Sequence, residues 1–362
     1  MKTKKLILFS AACCSLTLSF TSCNKDDDNN DPVKPTTSQI YILNSGKWKS
    51  NNATLDSYDE TAKVLNPKVF SAINARGLGD TANDMLIYGS KMYIAVDGSN
   101  TIEITDLNAK SIKTISPKDE AGQPQSPRSF TGYAGKVYAV LFDGHLAVID
   151  TTTMEITQKV KVGPNPYQVC ATGGKLYVAN SGGYNPVPDS TLSVVDPISL
   201  TEEKKIVVGV NPMSVEADSN GKLYVKCGGN FADIKASVNQ VDLSTGKSTP
   251  IYTNQNILAK LVNDKLYVIS SENDENWLPK NVKFILYDAK ANKELKSNFI
   301  SDGTTVKNPC SINVDPNSEN IYIGTSDHTN TGDMYIFSQE GKKLNSFGVS
   351  GINPMGAYFV SK

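Results

Sequence analysis

A tyrosine-centred strand motif occurs seven times in this chain. It reads Gln39-Ile-Tyr-Ile42, Lys91-Met-Tyr-Ile94, Lys136-Val-Tyr-Ala139, Lys175-Leu-Tyr-Val178, Lys222-Leu-Tyr-Val225, Lys265-Leu-Tyr-Val268 and Asn320-Ile-Tyr-Ile323. The tyrosines at 41, 93, 138, 177, 224, 267 and 322 stand 52, 45, 39, 47, 43 and 55 residues apart. A β-rich unit of roughly forty to fifty residues cannot bury both its faces alone, so such units stack around an axis. The expectation is an all-β fold, a seven-bladed β-propeller of four-stranded blades. Length alone would suggest two domains, but a closed ring uses 39–362 as one.

The fourth repeat sets out the blade. An inner strand A runs from Asn165-Pro166 to Cys170, and Gly173-Gly174 makes the hairpin turn. Strand B covers 175–179, strand C 192–196 and strand D 203–208. An acid closes strand C at Asp59, Asp106, Asp150, Asp196, Asp242 and Asp288, with Ser338 in the last repeat. Aspartate there bonds the backbone of the C–D turn, a structural role. Asn-Pro opens strand A at 165–166, 211–212, 308–309 and 353–354, and Ser126-Pro127 is a variant. The first repeat starts at a B strand, and Asn353 to Val360 reads as an A strand. This C-terminal strand should therefore join the N-terminal blade and close the ring.

The first residues stand outside that pattern. Lys2, Lys4 and Lys5 precede a short apolar run, Leu6 to Phe20, too short to span a bilayer comfortably. Phe20-Thr21-Ser22-Cys23 resembles the lipobox of bacterial lipoproteins, in which the cysteine is lipidated. Asn24-Lys25-Asp26-Asp27-Asp28 looks like the lysine-plus-acids export signal of Bacteroidetes surface lipoproteins; a plain acidic tether is the alternative. Residues 1–22 then form a signal peptide, and 23–38 a lipidated cysteine with a flexible acidic spacer. Removing 1–22 takes three lysines and no acid, moving the net charge from −1 to −4. Nothing in that balance suggests a nucleic-acid surface. Three cysteines remain in the repeats, Cys170, Cys227 and Cys310, without metal-binding spacing; free buried thiols are expected.

In a propeller the B–C and D–A connections emerge on one face. Here the B–C segments 44–53, 180–190, 227–236 and 271–282 are long, as are the D–A segments 70–83 and 116–128. Long loops on a stiff scaffold are where binding residues concentrate. The two tryptophans, two histidines and two arginines all fall on this predicted face: Trp48 and Trp277 in B–C segments, His145 and His328 at the end of one and within another, and Arg76 and Arg128 in D–A segments. Phe142, Tyr167, Tyr184 and Phe231 add aromatic planes, and Asn44, Asn180, Asn230 and Asn276 add amides. Rings and amides with few charges suit a large, mostly neutral ligand. Tryptophans that merely pin their own loops are the alternative. Asp97, Asp143 and Asp327 follow B strands at similar places and would be the oxygens of an axial cation in a lactonase-type hydrolase. Asp97-Gly98 and Asp143-Gly144 also read as tight turns, and no catalytic triad or nucleophile elbow is present. The expectation is a binding protein with no catalytic residues and no metal.

The Leu176 to Asn180 strand and the Asn-Pro starts resemble the YVTN-type (YncE-like) propellers of bacterial surface proteins. With the lipobox, the export tag and the aromatic-amide face, the chain resembles the BtuG family of Bacteroidetes surface lipoproteins. That resemblance implies capture of vitamin B12 (cobalamin or another corrinoid) as a bound ligand, with no separate cofactor. It also implies hand-over to a TonB-dependent outer-membrane transporter, from a lipid-anchored, surface-exposed position. On this reading Trp48, Tyr184, Phe231 and Trp277 pack against the corrin or its base. Asn44, Asn180 and Asn230 pair with its amides, and Arg76 or Arg128 meets its phosphate. Phe142, Tyr167 and His328 complete the candidate set. A glycan-binding lipoprotein remains open as an alternative, and the lactonase as another.

Overall fold

The computed structural model describes residues 35–183 and 185–362. The signal peptide, Cys23 and most of the spacer (1–34), and Tyr184, lie outside the described residues. Among the described residues the strands form seven four-stranded antiparallel sheets, the blades of a propeller. The inner A strands are Pro354–Ser361, Ala82–Tyr88, Pro127–Tyr133, Pro166–Thr172, Pro212–Ala217, Asn256–Val262 and Pro309–Val314, for blades 1 to 7. Each of them packs against the next, and the seventh meets the first, so the ring is closed.

Closure uses both ends of the repeat region. Pro354–Ser361 pairs antiparallel with Thr37–Asn44, with Ile40 opposite Phe359 and Ile42 opposite Ala357. The strand starts two residues before the expected boundary at 39. Thr37 earns its place there by donating to the Asp315 carboxylate of blade 7 at 2.7 Å.

Alternation within each strand sends apolar side chains to both faces of a blade. Seven apolar clusters result, one between each pair of neighbouring blades. The recurrent tyrosine stitches these layers. Its ring is buried, and in blades 1, 3, 5 and 7 its hydroxyl reaches the C–D turn of the following blade. Tyr41 donates to the Leu107 carbonyl (2.8 Å), Tyr224 to that of Ala289 (3.0 Å), and Tyr322 to the Glu60 carboxylate (3.0 Å). In those blades the motif is a contact between repeats, whereas in blade 2 the Tyr93 hydroxyl is buried without a hydrogen-bond partner.

The C-strand acids act as expected. Asp106, Asp150 and Asp196 each accept two backbone N–H bonds within the turn that follows. At the start of strand A, the structure adds what proline alone does not explain. Asn165, Asn211, Asn308 and Asn353 all take left-handed φ, from 44° to 61°. Asparagine tolerates that region better than most residues, and the following proline fixes the next φ.

One element was not expected. The connection from blade 1 to blade 2 contains a short helix, α1 (Val69–Asn74), with Phe70 buried in the layer between those blades.

Candidate functional site

The B–C face divides into two kinds of surface. Blades 2 and 3 turn tightly, at 97–100 and 142–144. Blades 4, 5, 6, 7 and 1, consecutive around the ring, carry longer tips. Three aromatics stand out on these tips: Trp48 (57% exposed), Phe231 (70%) and Trp277 (69%). Phe231, Trp277 and His328 also hold left-handed φ, at 57°, 63° and 62°. Bulky side chains rarely accept that conformation, and strain of this kind gathers at functional sites. The tips are braced from within. Asn230 accepts the N–H groups of Ala232 and Ile234 at 3.0 and 2.9 Å. Asp274 accepts those of Asn276 and Leu278 at 2.8 and 2.9 Å. His328 meets Asn353 through Nδ1 at 2.9 Å. Hollows of about 530 and 500 Å³ lie beside the tips, one between 51–55 and 329–331, the other under 279–282.

Toward the axis, three of the expected residues come together. The Arg128 guanidinium lies 4.1 Å over the Phe142 ring and 5.3 Å from that of Tyr167. Its charge is matched by Asp97 at 3.5 Å. Burial pushes the Asp97 carboxyl above its ordinary range, against the opposing pull of Arg128. Arg128 and Tyr167 line a channel of about 670 Å³ that all seven A strands enclose.

Four expected site residues require correction. Asn44 is buried; its amide donates to Thr54 and Asp56 at 3.0 Å each. Asn180 is buried too, donating to Thr191 and Ser193 and accepting from the Gly163 N–H. Both end B strands, where the amide ties neighbouring segments together and faces no ligand. Asn230 likewise spends its amide on its own loop. Arg76 leaves the face altogether. The turn after α1 carries it to the outer strands of blade 2, where Glu103 at 2.8 Å is a buried carboxylate in need of a cation. The three aspartates considered for a cation do not converge. Asp97 pairs with Arg128, Asp143 with His145 (2.9 Å), and Asp327 caps the N–H groups of Thr329 and Asn330. Among the described residues, no three His, Cys, Asp or Glu side chains come together as metal ligands do. Burial pushes the thiols of Cys170, Cys227 and Cys310 up to about 12, and all three are free.

The polar ring inside the channel was missed from sequence. An A strand at a sheet edge exposes backbone N–H groups to the axis, and acceptors from the preceding blade satisfy them. Asp84 accepts from Phe130 N–H (3.2 Å), Gln168 from Val215 (2.8 Å), Glu216 from Leu261 (2.6 Å) and Asn313 from Ala357 (3.2 Å). Burial pulls the Lys260 ammonium down, but its pairing with Glu216, helped by Asp84, holds it above its ordinary value. The signal was present as polar residues at recurring A-strand positions.

A family model described as "Domain of unknown function (DUF5074)" matches residues 38–359. The chain belongs to this family. A search of curated proteins finds no match. Among solved structures, a protein from Lactobacillus plantarum is 15% identical, with TM-score 0.59 over 90% of this chain and 100% of that one. A suspected 6-phosphogluconolactonase from Bacteroides fragilis is 14% identical, with TM-score 0.59 over 89% and 98%. Hydrazine synthase from Kuenenia stuttgartiensis is 18% identical, with TM-score 0.58 over 72% and 77%. At such identities these likenesses establish the shared fold alone.

Proposed function

We propose that this protein is a surface-displayed capture lipoprotein that binds cobalamin or a related corrinoid on the B–C face. It then passes the ligand to a TonB-dependent transporter, without covalent change. The observation that carries the reading is the set of exposed rings at 48, 231 and 277 on the tips of blades 1, 5 and 6, two of them in strained backbone. A corrin offers broad apolar faces, and exposed rings on braced loops bind such faces at little ordering cost. The stacked Arg128 beside the axis is a cation within reach of an anionic substituent. The N-terminal lipid would hold the propeller at the outer membrane.

Isothermal titration with cyanocobalamin tests this. The expected result is saturable binding that Trp48→Ala, Phe231→Ala and Trp277→Ala each weaken. A folded protein that gives no heat with cyanocobalamin, but binds glycans or opens a lactone, would end the corrinoid reading.

A further inference from the structure

The second residue after each motif tyrosine occupies one position in the repeat: Leu43, Ala95, Val140, Ala179, Lys226, Ile269 and Gly324. Six are apolar and buried. Five of them belong to the apolar layers between blades. In blade 5 alone the position holds a lysine. Strand pairing confirms the equivalence: Lys226 lies opposite Ser214 as Ala95 lies opposite Asp84, Val140 opposite Ser129 and Gly324 opposite Ser311.

The lysine stem is long enough to leave that layer, and Lys226 lines the axial channel. The other channel cations are matched, Lys260 by Glu216 and Arg128 by Asp97. Among the described residues Lys226 has no ion-pair partner. Burial lowers its ammonium below the ordinary lysine value, and no carboxylate offsets that. The same channel is lined by Asn83, Ser129 and Ser311, whose Nδ2 and two Oγ atoms have no hydrogen-bond partner within the protein. Ser129 and Ser311 are only 4% and 7% exposed. Buried polar atoms normally find partners, and a cation buried without one is costly.

We propose that the axial channel is an oxyanion-binding site in which Lys226 pairs with a phosphate or carboxylate group. Hydroxyl and amide donors of the channel wall would assist it. The inference rests on the channel and is independent of the corrinoid reading. The oxyanion has two sources, a free small anion or an acid group carried by a larger ligand.

The test is thermal unfolding of the full protein with and without inorganic phosphate, at ionic strength matched with chloride. The wild-type midpoint should rise with phosphate, and Lys226→Met should remove the rise, with phosphate affinity lowered about tenfold or more. Methionine matches the apolar residues of the other blades, so the variant should fold. As a check needing no variant, phosphate should protect Lys226 from reductive methylation, read by peptide mass spectrometry. Cyanocobalamin, which carries a phosphodiester, separates the sources. If Lys226→Met loses phosphate alone, the site takes a free anion; if it also loses cyanocobalamin, the site takes the larger ligand's acid group. No phosphate effect on wild type, or an equal effect in both proteins without protection of Lys226, overturns the proposal. Failure of wild type to bind cyanocobalamin would affect only the corrinoid reading.

Discussion

Blades 3 and 6 share one frame and differ in what rises above it. In both, the tyrosine strand is buried and the blade packs into apolar layers on either side. Blade 3 closes its B–C turn within three residues, 142–144. The polar groups there are spent on one another: Asp143 on His145 and Gln125, and Phe142 under Arg128. Blade 6 extends its B and C strands to Lys265–Asn273 and Pro279–Asp288 and lifts an exposed Trp277 on the tip between them. The difference teaches that stability and binding are written in separate parts of the repeat. The frame residues point between blades, and the tips point away from them.

The sharpest way to break that comparison lies within blade 6. Phe299 is fully buried and packs edge-on against Tyr267 and Phe284. Phe299→Ala should cost about 3–5 kcal/mol in urea unfolding. If it costs no more than a tip substitution, the division between frame and tip is wrong.

A second effect concerns the channel. Burial first of all pushes the Asp84 carboxyl up to about 6 from its ordinary 3.8, against hydrogen bonds from Phe130 and Tyr358. Between those values the folded state holds the proton more tightly than the unfolded chain. This contribution is therefore fully present below about pH 4 and is lost as pH rises through about 6. The shift corresponds to roughly 3 kcal/mol as an upper figure. Relative to Asp84→Asn, wild type should lose stability across that window. A flat difference between the two proteins would show that Asp84 titrates normally.

Next in size is Asn180→Ala, which removes three hydrogen bonds from a buried junction. It should destabilise by about 1–3 kcal/mol and leave ligand affinity unchanged. A loss of affinity at full stability would return this amide to the binding set. The smallest expected effect is on stability in Trp277→Gly. The left-handed φ of 63° suits glycine, so unfolding free energy should change by about 1 kcal/mol or less, while ligand binding falls.

The sequence made the frame legible because each blade repeats it: the tyrosine spacing, the C-strand acids and the Asn-Pro starts all found their places. The face was legible only in part. Trp48, Phe231 and Trp277 stand exposed on the expected loops. Arg128, Phe142 and Tyr167 meet where blade 3 packs against blade 4, a contact between segments apart in sequence. Asn44 and Asn180 misled because an amide at a strand end looks the same in sequence whether it faces a ligand or a neighbouring turn. Arg76 misled because α1, a helix in an all-β pattern, redirected its loop toward Glu103. Lys226 was visible only once the repeats were compared position by position, since a single lysine in a strand otherwise reads as surface.

The central claim, that the tips of blades 1 and 6 hold a corrinoid, is tested most directly by tryptophan fluorescence. Trp48 and Trp277 are the chain's two tryptophans, and a corrin absorbs where tryptophan emits. Titration with cyanocobalamin should quench the emission saturably. Trp48→Phe and Trp277→Phe should each retain quenching of the remaining indole. Emission that falls only in proportion to the absorbance of added ligand, with no saturation, would contradict the account.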